Sequence, residues 1–404
     1  MAVTQHESLA PHVSALQQSP LVERARELFP LIRANAAATE AGRRVVDANI
    51  EALQAAGLLR VSLPRRYGGH ESDLRTTIAV SGEIARACGS TGWVTALLNM
   101  CSWVIGLYPE RVQEEVFGAN PDARIAAVVA PRATTRKVEG GYVVSGRWPW
   151  ASGCLHAQWA TLGMPVVDAA GNVVDQGLAL MPMSELSIED TWHSNGMRGT
   201  GSNTLVAKEV FVPDYRVLSL PQAIEGHYPT ERGAVEPLYR AAFMPVLVII
   251  LIGPPLGLAR AALEEVAAVL PNRGIQYTSW ERQVDAPVTH MQMAEAAMLI
   301  DSAHLHAGRA ADDIDHAMRA GTIPDLAARA RIRMDCAHAV HCAKQAVDVL
   351  LHASGGSAFA ESNPVQRIWR DINTAALHGI LTHTTNLEMY GRILLGLPQN
   401  SPLI

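Results

Sequence analysis

Apolar residues recur at helical spacing through the first hundred positions of the chain. Val46, Ile50 and Leu53 stand at i, i+4 and i+7, with Gly57 beyond them, a pattern that predicts an amphipathic helix stopping at the glycine. Ala25, Leu28, Phe29 and Ile32 carry an earlier stripe, and Pro30 predicts a break in it, because proline removes an N–H and crowds the preceding turn. SLPRRYGGHESD, with Pro64 and the Gly68–Gly69 pair, reads as a loop. A second helical block is predicted from Leu74 to about Val116.

The pattern changes between Ile125 and Pro213, where short runs alternate as strands do. KVEGGYVVSGRW predicts a hairpin turning at Gly140–Gly141 and extending from Tyr142 to Ser145, and VVDAAGNVV predicts a second. Helical spacing returns after about Glu236. Ala259, Leu263, Val266 and Leu270 form one stripe, and Pro324–Asp325 reads as a helix start. Long helices joined by short loops predict an antiparallel bundle. Helices, then strands, then helices predict an α+β, mostly α protein rather than a doubly wound one. The expected divisions are a flexible N-terminus (1–20), an N-terminal helical domain (21–123), a middle β domain (124–232) and a C-terminal helical bundle (233–404).

Composition narrows the partners. With 404 residues and 49% hydrophobic content the chain has ample material for a core. Its most apolar run, MPVLVIILIG from Met244, falls short of the roughly 20 residues a membrane span needs, so a buried core segment is expected. A net charge of −6 without a long basic run argues against a nucleic-acid groove. Five scattered cysteines point to a reducing, cytoplasmic setting. The first twenty residues have neither a basic start nor an apolar h-region, so no signal peptide is expected.

CAHAVHC (Cys336, His338, His341, Cys342) contains metal-type residues. On a helix, however, Cys336 lies about 200° from His338 and about 120° from Cys342, so no four-ligand metal site is expected. His304 and His306, two apart, should face different ways. Neither G-x-G-x-x-G nor a Walker motif occurs, which leaves the chain without a nicotinamide site of its own.

The stretch GGSAFAESNPVQRIWRDINTAALHG, Gly355 to Gly379, resembles the last signature of the acyl-CoA dehydrogenase superfamily, a Gly-Gly pair before a P-[VL]-[EQ]-R-x-x-R-D helix. GLLRVSLPRRYGG and GMRGTGSNTLVAKEVFVP resemble two further signatures, in the family's order, over about Leu21 to Leu397. The resemblance implies an acyl-CoA dehydrogenase-like fold: an N-terminal helical domain, a middle β-barrel or sandwich and a C-terminal four-helix bundle. In the dehydrogenases a catalytic glutamate sits eight residues beyond the signature Asp. Here that position is Gly379, and His378 precedes it. A kept scaffold without its base is similar to the flavin-dependent monooxygenases of this fold.

That resemblance implies the oxygenase component of a two-component system. A separate flavin reductase would supply reduced FMN or FAD, and O2 would be the co-substrate. A C4a-hydroperoxide would then pass one oxygen atom to a small, aromatic substrate, in a homotetramer. His378 would act as base toward a phenol or as a donor at the flavin. In GRWPWASG, matching the family's W-I-T, Trp150 would pack on the isoalloxazine and Ser152 would bond near N5 or O4. Arg273 and the Gly355–Gly356 pair would hold flavin phosphate, the glycines reaching in from an adjacent subunit. GSTGWV would place Trp93 at the substrate cavity with Thr91 or Ser90 as hydrogen-bonding neighbours. Met100 and Cys101 would line the same pocket, and His383 is a fallback, being about 140° from His378 if both are helical. Arg370–Asp371 is expected to be an internal ion pair. Three alternatives stay open: a true acyl-CoA dehydrogenase taking its carboxylate from Glu264, Glu265 or Glu295, an N-oxygenase of an amine or amino sugar, and a flavin-less structural relative.

Overall fold

The structure, a computed structural model, describes residues 19–404. Almost all of the expected flexible N-terminus lies outside the described residues. Helices α1 (Pro20–Glu27) and α2 (Phe29–Ala34) part at Leu28, with Pro30 in the first turn of α2 where its missing N–H costs nothing. After α3 (Ala36–Ala41), α4 (Asp47–Ala55) is followed by Gly57 at φ +74°, the stop expected of it. The single block predicted from Leu74 is two helices, α5 (Leu74–Ala87) and α6 (Gly89–Ile105). Extended backbone at Cys88 separates them, and Asp73 caps α5 by accepting from the Thr76 N–H at 2.7 Å. A short α7 (Glu110–Gln113) closes the first helical region.

Eight strands follow: β1 (Ile125–Val128), β2 (Ala133–Val138), β3 (Gly141–Ala151), β4 (Trp159–Val167), β5 (Val173–Pro182), β6 (Ser187–Glu189), β7 (Asn203–Pro213) and β8 (Val217–Ser219). They form two four-stranded sheets, β1-β4-β5-β8 and β2-β3-β7-β6. Both predicted hairpins form. In the first, Val138 pairs with Gly141 and Gly140 takes φ +73°. In the second, the Asp168 carboxylate accepts from the Ala170 and Asn172 N–H groups, both at 2.9 Å. β3 runs six residues beyond the predicted Ser145, to Ala151. Val144, Trp148, Leu162, Met164 and Leu205 pack between the sheets, and the Trp148 indole N–H donates to the Gly163 carbonyl at 2.8 Å.

The C-terminal region follows α8 (Leu220–Ile224) with α9 (Phe243–Ile250), α10 (Gly253–Val269), α11 (Pro287–Ala320), α12 (Leu326–Ser354), α13 (Pro364–Ala376) and α14 (His383–Leu394). Asp325 caps α12, accepting from the Ala328 N–H at 2.8 Å, which is the predicted start. The apolar stretch is longer than its sequence run. The helical segment Phe243–Asn272 is long and apolar enough to cross a membrane, but 94% of its most apolar window is buried inside the protein, as a core helix requires. α10 crosses α5 at Gly257, where an added Cβ would stand 2.0 Å from the Gly82 carbonyl oxygen. Beside this crossing the buried Glu83 carboxylate meets Arg260 at 2.7 Å, Arg86 at 2.8 Å and Arg26 at 3.4 Å.

Candidate active site

α6 divides the core along its length. Trp93, Met100 and Cys101 face the main core, whereas Val94 and Leu98 face the N-terminal helical core. Burial in apolar surroundings pushes the Cys101 thiol up to about 12, so it acts as a small apolar group. Thr91 departs from expectation. Its hydroxyl accepts from the Asn49 amide at 3.4 Å, toward α4, because two residues along a helix turn it about 200° from Trp93.

The end of β3 places the next two groups. In a regular strand Trp148 and Trp150 would share one face. The register shifts between Trp148 and Ala151, and Trp150 sits at φ +67°, a left-handed conformation that costs an L-residue on the order of 1–2 kcal/mol. Trp150 is thereby turned outward with 61% of its surface exposed, and the Arg132 guanidinium lies 5.3 Å from its ring centroid. Ser152 faces inward, its hydroxyl 3.3 Å from the Trp93 indole nitrogen and 2.6 Å from the Ser202 hydroxyl. Ser202 is in turn 2.6 Å from the Thr200 hydroxyl, which donates to the Met197 carbonyl at 2.8 Å.

The loop bearing Thr200 and Ser202 is pinned from α13. The Asp371 carboxylate accepts from the Met197 N–H at 2.6 Å, and Met197 is held at φ +51°. Burial pushes the Asp371 carboxyl up to about 6, against the pull of that hydrogen bond. Arg370 does not pair with Asp371 as expected. It bonds the Asn195 carbonyl and, at 2.6 Å, Glu40, because neighbours on a helix point about 100° apart.

α13 ends at Ala376, so His378 stands in the turn before α14 and not on a helix. Its ring centroid is 5.8 Å from that of Trp93, tilted by 57°, which brings His378, Trp93 and Ser152 into one group. No hydrogen bond joins its ring nitrogens to the described residues. The residue is exposed at its surface yet has protein packed around its ring, and this burial pushes its imidazole down to about 4. It is therefore neutral at pH 7. A Cβ on Gly379 would meet nothing within 4 Å, so the position of the dehydrogenase base is open space.

His383 lies elsewhere. At the start of α14 it stacks on His341, with centroids 4.0 Å apart and planes within 6°. His338 lies 5.8 Å from it, and His306 of α11 is 4.6 Å from His338. Part of CAHAVHC thus converges after all, because His338 and His341 are three apart on α12 and share a face that α11 and α14 cover. Cys336 is buried in the main core. His304 and His306 separate as expected, His304 being buried near Glu83 and Arg260 while His306 bonds Asp335 at 2.8 Å.

A second corner forms at Arg273. Its guanidinium bonds the Ser354 carbonyl and would lie 3.2 Å from a Cβ on Gly355, and it makes no ion pair among the described residues. Gly355 holds φ +59°, ψ −166°, a region open essentially to glycine alone, and a Cβ on Gly356 would meet nothing within 4 Å. This corner flanks the first half of α13, where Phe359 packs on Trp369, whereas His378 follows that helix's end. The fold brings Arg273, Gly355 and Gly356 together, and Trp93, Ser152 and His378 together, at two separate places.

Residues 17–117 match the family acyl-CoA dehydrogenase, N-terminal domain, and residues 249–383 match acyl-CoA dehydrogenase, C-terminal domain. The flavin-dependent monooxygenase, oxygenase subunit HsaA of Rhodococcus jostii (strain RHA1) is 34% identical over 95% of the chain and 100% of the relative. The chain belongs to the flavin-dependent monooxygenases. It has their acyl-CoA dehydrogenase-like fold. The FADH(2)-dependent resorcinol hydroxylase, oxygenase component of Rhizobium sp. (strain MTP-10005) is 34% identical over 96% of this monooxygenase and 95% of its own length. The solved structure of XiaF from Streptomyces sp. in complex with FADH2 and glycerol superposes at TM-score 0.89, with 36% identity over 95% and 96% of the two chains. Two of the three carboxylates that a dehydrogenase could draw on are paired elsewhere in this monooxygenase, and the third faces solvent. Glu264 pairs with Arg86 at 2.8 Å, Glu265 pairs with Arg33, and Glu295 is exposed on α11.

The residues present suit a flavin. Trp150 offers an exposed aromatic ring with Arg132 over it, Ser152 a hydroxyl with a spare lone pair, and Arg273 an unneutralised cation beside an open glycine backbone. Sequence reasoning missed Ser202 and Thr200. Their hydroxyls, two apart in GMRGTGS, meet because the chain turns between them at Gly201, which takes φ +56° after the Arg198–Thr200 turn.

Proposed function

We propose that this chain takes reduced flavin from a separate reductase and hydroxylates a small phenol, with His378 holding the phenolic hydroxyl. One observation carries the reading: a neutral imidazole with free ring nitrogens stands beside Trp93 and Ser152, one residue before the open Gly379 position. Reduced flavin, when bound, supplies the electrons that activate O2 for transfer of one oxygen atom. Trp150 would cover the isoalloxazine, and Arg273 with Gly355 and Gly356 would hold phosphate. Trp93, with Met100 behind it, would press the substrate against the redox edge and exclude water. His378 would accept the hydrogen bond of the phenol, which enriches the ring carbons that receive oxygen. Relatives named oxygenase subunit and oxygenase component support the separate reductase, and the absence of a nicotinamide-binding motif agrees with it.

A homotetramer belongs to the same reading. Val288, Met291, Met298 and Leu305 form an exposed apolar stripe at spacings of three and seven along α11, and Leu387 and Leu394 repeat the spacing on α14. Such faces suit further copies of the chain. A neighbouring copy would also bring its Arg273 corner to the His378 corner that lies apart from it within one chain. Buried, unpaired cysteines support a reducing, cytoplasmic setting.

The test supplies the protein with O2, a panel of phenols including resorcinol, and FMN or FAD reduced chemically. Hydroxylated product is expected with reduced flavin, and none with NADH and oxidised flavin in the absence of a reductase. Product from NADH alone, or none with either reduced flavin, would overturn the proposal.

A further inference from the structure

The hydroxyl chain behind Ser152 takes its direction from the short contact at its far end. The Thr200 hydroxyl donates to the Met197 carbonyl at 2.8 Å, an oxygen that also accepts from the Trp192 indole N–H at 2.9 Å and the Thr200 N–H at 3.1 Å. Thr200 can then only accept from Ser202, and Ser202, its proton committed, can only accept from Ser152. The indole N–H of Trp93 donates to Ser152 from the other side. The far end is held in place by a buried loop, since Asp371 accepts from the Met197 N–H at 2.6 Å. Ser152 is left with one unused lone pair and no free proton. It is 9% exposed, so water offers little alternative to the chain.

We propose that Thr200 and Ser202 are positioning residues that fix Ser152 as a hydrogen-bond acceptor, so that the site selects reduced over oxidised flavin. The inference rests on Ser152 facing the flavin's N5 edge, as the functional reading has it. Reduced flavin carries a hydrogen on N5 and can donate to Ser152. Oxidised flavin presents bare lone pairs at N5 and O4, and these would face the Ser152 oxygen with no proton between them. To receive oxidised flavin the site must break the Ser152–Ser202 bond and leave Ser202 without a donor. A buried mismatch of this kind is what makes a hydrogen-bonding site discriminate. For an oxygenase that receives reduced flavin and must discard the oxidised form, such a bias favours loading and release in the right order.

The experiment measures anaerobic dissociation constants of reduced and oxidised FMN and FAD, and the bound flavin's midpoint potential, for the parent, Ser202→Ala, Thr200→Val and Thr200→Ser. The parent should bind reduced flavin more tightly. Ser202→Ala and Thr200→Val free the Ser152 proton, and should lower the oxidised-to-reduced Kd ratio about tenfold. For a two-electron couple this lowers the midpoint potential by about 30 mV. Thr200→Ser keeps the hydroxyl and should keep the parent ratio. The same ratio in all four proteins, with flavin bound, would overturn the proposal while leaving the monooxygenase reading intact. A parent that binds neither redox state would sink both.

Discussion

His378→Ala is expected to lower the yield of hydroxylated product per flavin oxidised by on the order of a hundredfold, while flavin oxidation itself continues. The ring is the one group beside Trp93 and Ser152 with nitrogens left free by the protein, so no described neighbour can replace it. Its role toward a phenol is a hydrogen bond at the reacting end of the substrate, and losing such a group costs the chemical step more than binding. The expected signature is therefore a fall in product with a smaller change in the substrate concentration needed for half-saturation. The pH dependence follows from burial, which pushes the imidazole down to about 4. The neutral form is complete above about pH 5, so parent coupling should be flat from pH 5 to 8, with no step near the 6.5 of a free histidine. Product quantified against flavin turned over checks both statements. Unchanged coupling in His378→Ala would remove the residue from the site.

Glu83→Ala is expected to be the most damaging substitution away from the site, at about 3 kcal/mol, the low end of the range for breaking a buried ion pair. Glu83 is 1% exposed at its side chain and is shared among Arg26, Arg86 and Arg260 of α1, α5 and α10. These arginines keep 20–30% of their side-chain surface in water, which softens the loss and argues for the low end. Burial alone would raise the Glu83 carboxyl, but Arg260 and Arg86 outweigh it and hold it below its ordinary value. A depressed carboxyl contributes stability above its unfolded pKa and loses it as pH falls through the folded one. The gap between parent and variant should thus be full at pH 7 and shrink below about pH 4.5. Denaturation midpoints across that range provide the check. A variant as stable as the parent at pH 7 would show that the network carries no net stability.

Periodicity exposed most of the fold because one-sided burial writes itself into spacing. The α4 stripe, the Pro30 break, both hairpins and the Asp325 cap all stand where the residues put them. Motif order likewise singled out Trp93, Ser152 and His378, which the fold sets side by side. What stayed hidden depends on contacts between distant segments. Only the register shift in β3 turns Trp150 out of the core. Only the helix end at Ala376 frees His378 from helical geometry, and only the packing of α12 against α11 and α14 gathers the four histidines that take His383 away. Thr91 was misplaced by reading its motif as a unit instead of by angle around α6. The direction of the Ser152 chain needs distances, since sequence shows hydroxyls but not which of them hold their protons.

The most direct test of the central claim follows the oxygen atom. The protein, a hydroxylatable phenol and reduced flavin are mixed with ¹⁸O-labelled O2 in unlabelled water, and the product is weighed by mass spectrometry. A monooxygenase of this kind gives product carrying one ¹⁸O atom for each flavin consumed in coupled turnover. Product bearing oxygen from water, or anaerobic flavin reduction by an acyl-CoA without oxygen transfer, would contradict it.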